Sequence, residues 1–456
     1  MKIFNTLSGK KEVFEPIEDN KIRMYICGMT VYDDTHIGHA RTFLSFDLIV
    51  RYLRSINYEV QYIRNITDVD DKIIARAEEL NISPSELTKD CINSMHNDFQ
   101  ALGMISPDAE PRATENIDSI ISLITKLIDK GHAYVGDSDV FFSTESFEEY
   151  GKLSKRKLED MLSGARIDID HDKKNPADFV LWKKDTKGLK WDSPWGPGRP
   201  GWHIECSAMS MDALGETFDI HGGGSDLKFP HHENEIAQSE CVTGKEFAKV
   251  WMHTGSLRID EQKMSKSLKN FITIKEALSD SSSEVLRFFL ISSHYRSPLN
   301  YSDEGLKEAK NSLDRLYNSL QDLSYETEEH IPSEYSEMFH DAMQDDFNSP
   351  SAISVLFEMV KQINIFKKED KLTHANTLAS ELISLSNILG ILLDNPEEYF
   401  TSGINLSNQD IEQAIERRNK ARQEKDFELS DKIRDDLLKE GIILEDKGTK
   451  TIWKKS

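Results

Sequence analysis

Apolar and polar positions change period three times in the first third of the chain. Ile22-Arg23-Met24-Tyr25-Ile26-Cys27 alternates as a strand does, and Gly28 ends it before a loop leading to His36. Phe43, Leu44, Leu48, Ile49, Tyr52 and Leu53 then recur near helical spacing, with Arg41, Asp47, Arg51 and Arg54 on other faces. Tyr58 to Ile66 alternates again. The order predicts a βαβ unit whose first strand-to-helix crossing falls at His36 to Ala40, where an open parallel sheet binds nucleotides.

Further along, Thr67 reads as the N-cap of a helix running to Leu80, with Asp70 in its first turn, so Asp68, Asp70 and Asp71 are read as helix-start carboxylates, not catalytic ones. A helix is expected from Asn116 to Lys130, then a hairpin over Ala133 to Phe142 and a polar charged stretch. The Pro/Gly/Trp-rich run Trp191 to Trp202 closes this insertion. Asp219 to Asp226 reads as a strand entering a glycine turn, and Phe229 to Ala237 as a helix started by Pro230. Ser283 to about Leu393 is expected to be mainly helical; a turn-rich linker near Thr401-Ser402-Gly403 precedes a helix pair and a strand pair ending at Trp453. The expected architecture is α/β: a Rossmann-like parallel-sheet domain in two halves (1–115 and 201–255), split by a connective insertion (116–200). A lysine-loop region (256–310), a helical bundle (311–400) and a small C-terminal α/β domain (405–456) follow.

Composition narrows the class. A chain of 456 residues has room for roughly three domains. Mean hydropathy is −0.53, no apolar stretch approaches the roughly 20 residues that span a bilayer, and Met1 to Thr6 opens without an apolar h-region. A cytoplasmic protein, not bound to membrane and monomeric, is expected. Cys27, Cys91, Cys206 and Cys241 are too few and too scattered for a disulfide framework, which points to reduced thiols. The formal charge of −24 opposes loose attachment to nucleic acid. Residues 405–456 hold 12 Lys+Arg and 12 Asp+Glu, so the entire surplus lies elsewhere and the tail is the least acidic part.

Two short motifs carry phosphate chemistry. In Thr35-His36-Ile37-Gly38-His39-Ala40-Arg41, Gly38 permits close approach to a base or phosphate, and His36 and His39 can donate to phosphate oxygens at the mouth of a helix. Lys263-Met264-Ser265-Lys266-Ser267 supplies two cations to meet charge building on phosphorus. Each alone is compatible with an ordinary surface segment. In this order the pair resembles the class I aminoacyl-tRNA synthetases.

A metal set is the second candidate. His231 and Glu235 are four apart on an expected helix and point the same way; with Cys27 and Cys206 they form a donor set that suits zinc better than calcium or magnesium. The competing reading treats the two cysteines as small buried hydrophobes. A zincin is excluded, because Ile236 stands where the second histidine would be needed. Cys27, Gly-Trp-His-Ile-Glu-Cys (201–206), His-Gly-Gly-Gly-Ser-Asp (221–226) and Pro-His-His-Glu-Asn-Glu (230–235) are similar to the bacterial cysteinyl-tRNA synthetase family, and the similarity runs from Met1 to Trp453.

That resemblance implies one zinc per subunit, held by Cys27, Cys206, His231 and Glu235, which selects the thiol of L-cysteine over the hydroxyl of serine and makes a separate editing site unnecessary. It implies ATP, with its Mg2+, on Thr30, His36, Gly38, His39 and Lys266; catalysis by His36, His39, Lys263 and Lys266; and an amino-acid pocket with Gly28, Thr67, Trp202, His221 and Asp226. Trp202 and His221 would wall this pocket and Asp226 would take the ammonium. tRNA(Cys) would be read at its anticodon by Arg422, Phe427 and Asp431 in the C-terminal domain. Phe427 departs from the family's usual tryptophan, which loses an indole donor while keeping a stacking face, and Lys269 stands at a usual glycine. The rival readings are a cysteine ligase acting on an amino sugar, a small nucleotidyltransferase, and a noncatalytic RNA- or zinc-binding module. The long helical and C-terminal half speaks against the first two, and the two phosphate motifs against the third.

Overall fold

The computed structural model describes residues 1–156, 172–185, 188–259, 261–263, 271–325, 332–401, 408–447 and 450–455. They fall into two compact units. The first comprises Met1–Ser312, Pro332–Glu358 and Ser384–Ile391; the second comprises Leu313–Ile331, Met359–Ile383 and Leu392–Ser456.

The first unit opens with a hairpin, β1 (Lys2–Asn5) and β2 (Lys10–Val13). Its centre is a four-stranded parallel sheet built from β3 (Lys21–Ile26), β4 (Glu59–Arg64), β9 (Phe218–Gly224) and β10 (Ala248–Thr254), in the order β10-β9-β3-β4. Residues 196 positions apart in the chain meet in register at Met24↔Ile220, Tyr25↔His221 and Ile26↔Gly222. The chain leaves β3 toward one side and β9 toward the other, so a crevice opens past their carboxyl ends, which is where such sheets bind ligands.

Helix α1 (Ile37–Ser55) crosses from β3 to β4. It starts because His36 is extended (φ −122°, ψ 166°) and its Nδ1 accepts from the His39 backbone N–H at 3.2 Å. Phe43, Leu44, Phe46, Leu48, Ile49 and Leu53 are all buried, each contributing about 1.5–3 kcal/mol. Arg41 is buried too, donating to the carbonyls of Leu290 and, at 2.7 Å, His294. Next come α2 (Asp71–Leu80), α3 (Pro84–Ala101) and α4 (Ile117–Asp129). Asp70, not Thr67, caps α2: its carboxylate accepts from Lys72 N at 2.8 Å. Thr67 is instead pinned in extended backbone, its carbonyl accepting from Val31 N and its N–H donating to Met29 O, which continues the sheet pairing beyond β4.

An antiparallel sheet, β5 (Ala133–Val135), β6 (Asp139–Phe142), β7 (Phe179–Lys184) and β8 (Gly198–Pro200), stands between the two halves of the parallel sheet in sequence. It packs with α4 and with α5 (Trp202–Leu214) around Phe142, Leu181 and Trp182. The expected glycine turn at 222–224 is the end of β9 itself. Gly222 is there for space: a Cβ would lie 2.4 Å from Phe46 Cζ. The expected Pro-started helix begins later. Phe229 is extended (φ −144°, ψ 130°), as a residue before proline prefers, and α6 spans Glu233–Thr243 after a single wide turn at Lys228–His232.

Beyond β10 the first unit has a small sheet of β11 (Leu257–Ile259), β12 (Gln262–Lys263) and β13 (Leu299–Tyr301), in the order β12-β11-β13. The strand β13 interrupts the expected helical run because its backbone completes the edge of β11. Helices α7 (Ile274–Asp280) and α8 (Ser283–Ile291) lie between β12 and β13 in sequence. There follow α9 (Asp303–Leu320), α10 (Glu334–Gln344), α11 (Ser349–Lys368), α12 (Leu372–Ile388) and α13 (Pro396–Thr401). The second unit ends in α14 (Asn408–Gln423), α15 (Phe427–Lys439) and the hairpin β14 (Ile442–Lys447) and β15 (Lys450–Lys455), closed over Ile411, Ile415, Ile433, Leu437 and Ile442. The expected linker residues Ser402 and Gly403 lie outside the described residues.

Candidate active site and metal centre

Four donors converge from three segments. Cys27 follows β3, Cys206 lies on α5, His231 precedes α6, and Glu235 sits in the first turn of α6, where the helix dipole favours its charge. All four are buried, and one ligand atom from each lies within 4.8 Å of the others. Cys27 Sγ is 3.7 Å from Cys206 Sγ and 3.3 Å from Glu235 Oε1, while His231 Nε2 is 3.0 Å from the same oxygen. Two sulfurs on one tetrahedral zinc, each at about 2.3 Å, lie about 3.8 Å apart, so the spacing fits the ion without rearrangement. The apolar neighbours Tyr25, Ile63, Phe218 and Trp251 would suit two inert thiols equally well. They do not suit a fully buried Glu235 carboxylate facing those thiols, and a metal-binding donor set does.

The protons in this cluster are correspondingly displaced. Burial pushes the Cys27 thiol well up, while the hydrogen bond from Cys27 lowers Cys206 to about 6. Burial works against charge on His231, yet Glu235 and Cys206 raise it to about 10. Burial likewise opposes charge on Glu235, but His221 and His231 hold it well below the usual carboxylate range. A divalent cation would displace the remaining protons.

The residues behind the donors fix their directions. His221 Nε2 is 2.8 Å from Glu235 Oε2, and its ring stacks on Trp251 at 4.4 Å. His221 is therefore fully buried behind Glu235, not on the cleft wall as the sequence led us to expect. His203 Nδ1 is 2.9 Å from His231 Nδ1, and His232 meets His253, which in turn meets Thr6 Oγ1. These supporting histidines were not singled out from the sequence. His203 and His232 each stood within a short motif there, whereas His253 carried no local signal.

The cleft above the cluster has two adjoining lobes, of about 230 Å3 and about 600 Å3. Cys27, Gly28, Thr30 and Trp202 line the first, Gly38 the second, and His36, His39 and Asp226 both. Thr67 is buried and outside the lining. Gly28 donates to Asn65 Oδ1 at 2.8 Å, and a Cβ there would fall 1.7 Å from Asn65 O. The Trp202 ring lies 4.4 Å from that of His231, joining the first lobe to the metal set.

The histidine motif is tied through the backbone to the segment that follows the lysine motif. Ile37 N donates to Ile272 O at 3.1 Å and Ile274 N to Thr35 O at 3.0 Å, so the residues just after the lysine motif are bridged to the histidine motif. The His36 and His39 rings stack at 3.5 Å, with the Phe271 ring edge-on to His36 at 4.7 Å. Lys263 ends β12, paired to Arg258; Lys266 and Lys269 lie outside the described residues. In the second unit Arg422 Nη1 pairs with Asp446 Oδ2 at 2.7 Å and Asp431 with Arg434 at 3.6 Å. Phe427, the first residue of α15, is 63% exposed.

Comparison with known proteins follows the same lines. Residues 13–311 match the family model of the tRNA synthetases class I (C) catalytic domain, and residues 338–394 match the DALR domain. A cysteine–tRNA ligase of Hahella chejuensis is 53% identical over 467 residues, covering 100% of both chains, and one of Coxiella burnetii is 52% identical over 457 residues, again covering 100% of both. Among solved structures, Mycobacterium tuberculosis methionyl-tRNA synthetase in complex with methionyl-adenylate shares the fold at TM-score 0.61 and 14% identity, over 81% of this chain and 89% of that one. A leucyl enzyme of Agrobacterium radiobacter K84, in a ternary complex with tRNA, does so at TM-score 0.57 and 11% identity, over 82% of this chain and 84% of that one. With a parallel sheet carrying the histidine motif at its crevice, a class I family model over residues 13–311 and full-length identity above one half, the chain belongs to the cysteine–tRNA ligase family of class I aminoacyl-tRNA synthetases.

Proposed function

We propose that this chain activates L-cysteine with MgATP and transfers it to the 3′ end of tRNA(Cys). In the first step a cysteine carboxylate oxygen bonds to the α-phosphorus, the bond to the β-phosphate oxygen breaks, and pyrophosphate leaves. In the second, a terminal ribose hydroxyl takes the aminoacyl carbonyl and AMP leaves. No protein nucleophile is needed, so positioning and charge stabilisation supply the rate. His36 and His39, with Thr30 and Gly38, face the phosphates, and Lys263 and Lys266 meet the charge that builds on them. Asp226 takes the substrate ammonium, with Gly28 and Trp202 around the amino acid, while Thr67, outside the lining, acts indirectly by holding the backbone of Met29 and Val31. His221 acts indirectly, by orienting Glu235. Arg422, Phe427 and Asp431 read the anticodon.

The observation that carries this reading is the buried set Cys27, Cys206, His231 and Glu235, which reaches through Cys27 into a cleft also lined by His36 and His39. Zinc held there prefers a thiolate to an alcohol and lowers the thiol pKa, which separates cysteine from serine by more than the roughly 1–3 kcal/mol available to apolar contacts. The test is ATP–pyrophosphate exchange with each amino acid, then charging of total tRNA. Cysteine alone should support exchange; equal exchange with serine would refute the assignment.

A further inference from the structure

Beside the metal centre, three cations gather in a chain that is otherwise strongly acidic. Lys155 and Arg156 are exposed at the end of the loop that follows Tyr150, and Lys228 is half-buried directly after the cleft residues Asp226 and Leu227. Among the described residues none of the three forms an ion pair. Arg156 lies over the Phe229 ring, 4.9 Å from its centroid. That stacking leaves the edge of the guanidinium free to donate to a planar or tetrahedral anion. Lys155 gives one N–H to Leu7 O at 2.5 Å and retains two.

Two features show that the arrangement is held in place. Lys155 has φ +59°, a left-handed conformation that costs a lysine of order 1 kcal/mol. The loop is also fastened to the metal-bearing segment, because the buried Glu233 carboxylate accepts from Gly151 N at 3.0 Å, Leu153 N at 3.2 Å and Ser154 N at 2.7 Å. Tyr150 Oη adds a bond to Asn234 at 2.5 Å. Glu233 and Asn234 sit between the donors His231 and Glu235, so the cations are mounted rigidly relative to them. With both oxygens engaged by backbone N–H groups, Glu233 forms no ion pair with the cations, whose N–H donors stay available to an external anion. Burial lowers the Lys228 ammonium, and Lys155 and Arg156 add to that effect against the opposing charge of Glu233.

We propose that Lys155, Arg156 and Lys228 form a phosphate-binding rim that seats the backbone of the RNA substrate's single-stranded 3′ end beside the metal centre. This rests on the function proposed above. ATP phosphates share the chemistry, but His36 and His39 already offer them a helix mouth within the cleft, whereas a net-acidic chain needs local cations where a polyanion enters.

The test compares full-length wild type, Arg156→Ala/Lys228→Ala and Lys155→Gly in tRNA charging and in ATP–pyrophosphate exchange. Glycine suits the left-handed conformation at 155, so this variant loses a cation without backbone strain. The double variant should raise the tRNA KM about tenfold and flatten the log–log salt dependence of charging by about 1.4, two single-strand contacts' worth, with exchange within twofold of wild type. Lys155→Gly should raise the tRNA KM about threefold with an unchanged melting temperature, and Arg156→Lys should retain most affinity. An unchanged tRNA KM and salt slope would overturn the proposal, as would a raised ATP KM with tRNA KM unaltered. Wild-type exchange with cysteine tests the underlying function separately.

Discussion

Replacing Gly28 by alanine should empty the metal centre without touching a ligand. A Cβ at this position would stand 1.7 Å from Asn65 O and 2.8 Å from its carbonyl carbon, both backbone atoms. Contacts below 3.0 Å are not tolerated, so the two segments must part by about 1.3 Å. Neither can yield cheaply: Gly28 N is tied to Asn65 Oδ1, Cys27 N donates to Gly222 O at 3.0 Å, and Asn65 is buried between β4 and Thr67. Overpacking of this kind costs about 1–3 kcal/mol. The functional loss is larger than the stability loss, because Cys27 is the adjacent residue and metal sites tolerate only about 0.2 Å in donor distance. Elemental analysis should find one zinc per wild-type chain and well under one in purified Gly28→Ala, with cysteine-dependent exchange reduced at least a hundredfold while the protein still melts cooperatively. A variant that retained a full equivalent of zinc and wild-type exchange would show that the close approach of Gly28 to Asn65 does not position Cys27.

Other outcomes follow from the same geometry. Chelation of the wild type should abolish cysteine-dependent exchange and restore it on readdition of zinc, and Cys206→Ser should lower zinc affinity by at least tenfold in a competitive chelator titration. Asp47→Ala should destabilise the first unit by about 3–5 kcal/mol in urea titration, since it strands the buried Arg287 guanidinium and removes the acceptor for Ile105 N at 2.7 Å; a loss under 1 kcal/mol would count against a buried ion pair there. Burial, helped by Asp34 and Asp33, raises the Cys91 thiol to about 11. Below that value the thiolate fraction rises tenfold per pH unit, so alkylation of Cys91 measured by mass spectrometry should still be accelerating at pH 9.5, and a plateau by pH 9 would contradict the shift.

Much of the parallel sheet was legible along the chain, because strand and helix periods in β3, α1 and β4 are imposed by burial on one face and survive as local patterns. Chemistry confined to one short segment was legible too: His36 and His39 sit at a helix mouth because their own spacing makes a reciprocal cap. Caps and turns were less secure. Thr67 looked like a cap by residue type, but its backbone was claimed by sheet pairing to Met29 and Val31, and Asp70 took the role. Gly222 looked like a turn, but the bulk of Phe46 from α1 demanded a glycine inside β9.

The sequence by itself determined which chemical groups were available: two thiols, an i,i+4 histidine–carboxylate pair, and two phosphate motifs. Only the tertiary structure decided which of them meet. Cys27 and Cys206 are separated by 179 residues and are joined by β3 pairing with β9, a long-range choice driven by burial of both sheet faces. The same packing moved His221 behind Glu235 and recruited His203, His232 and His253, whose partners are set by side-chain contacts across strands and helices that no local period records.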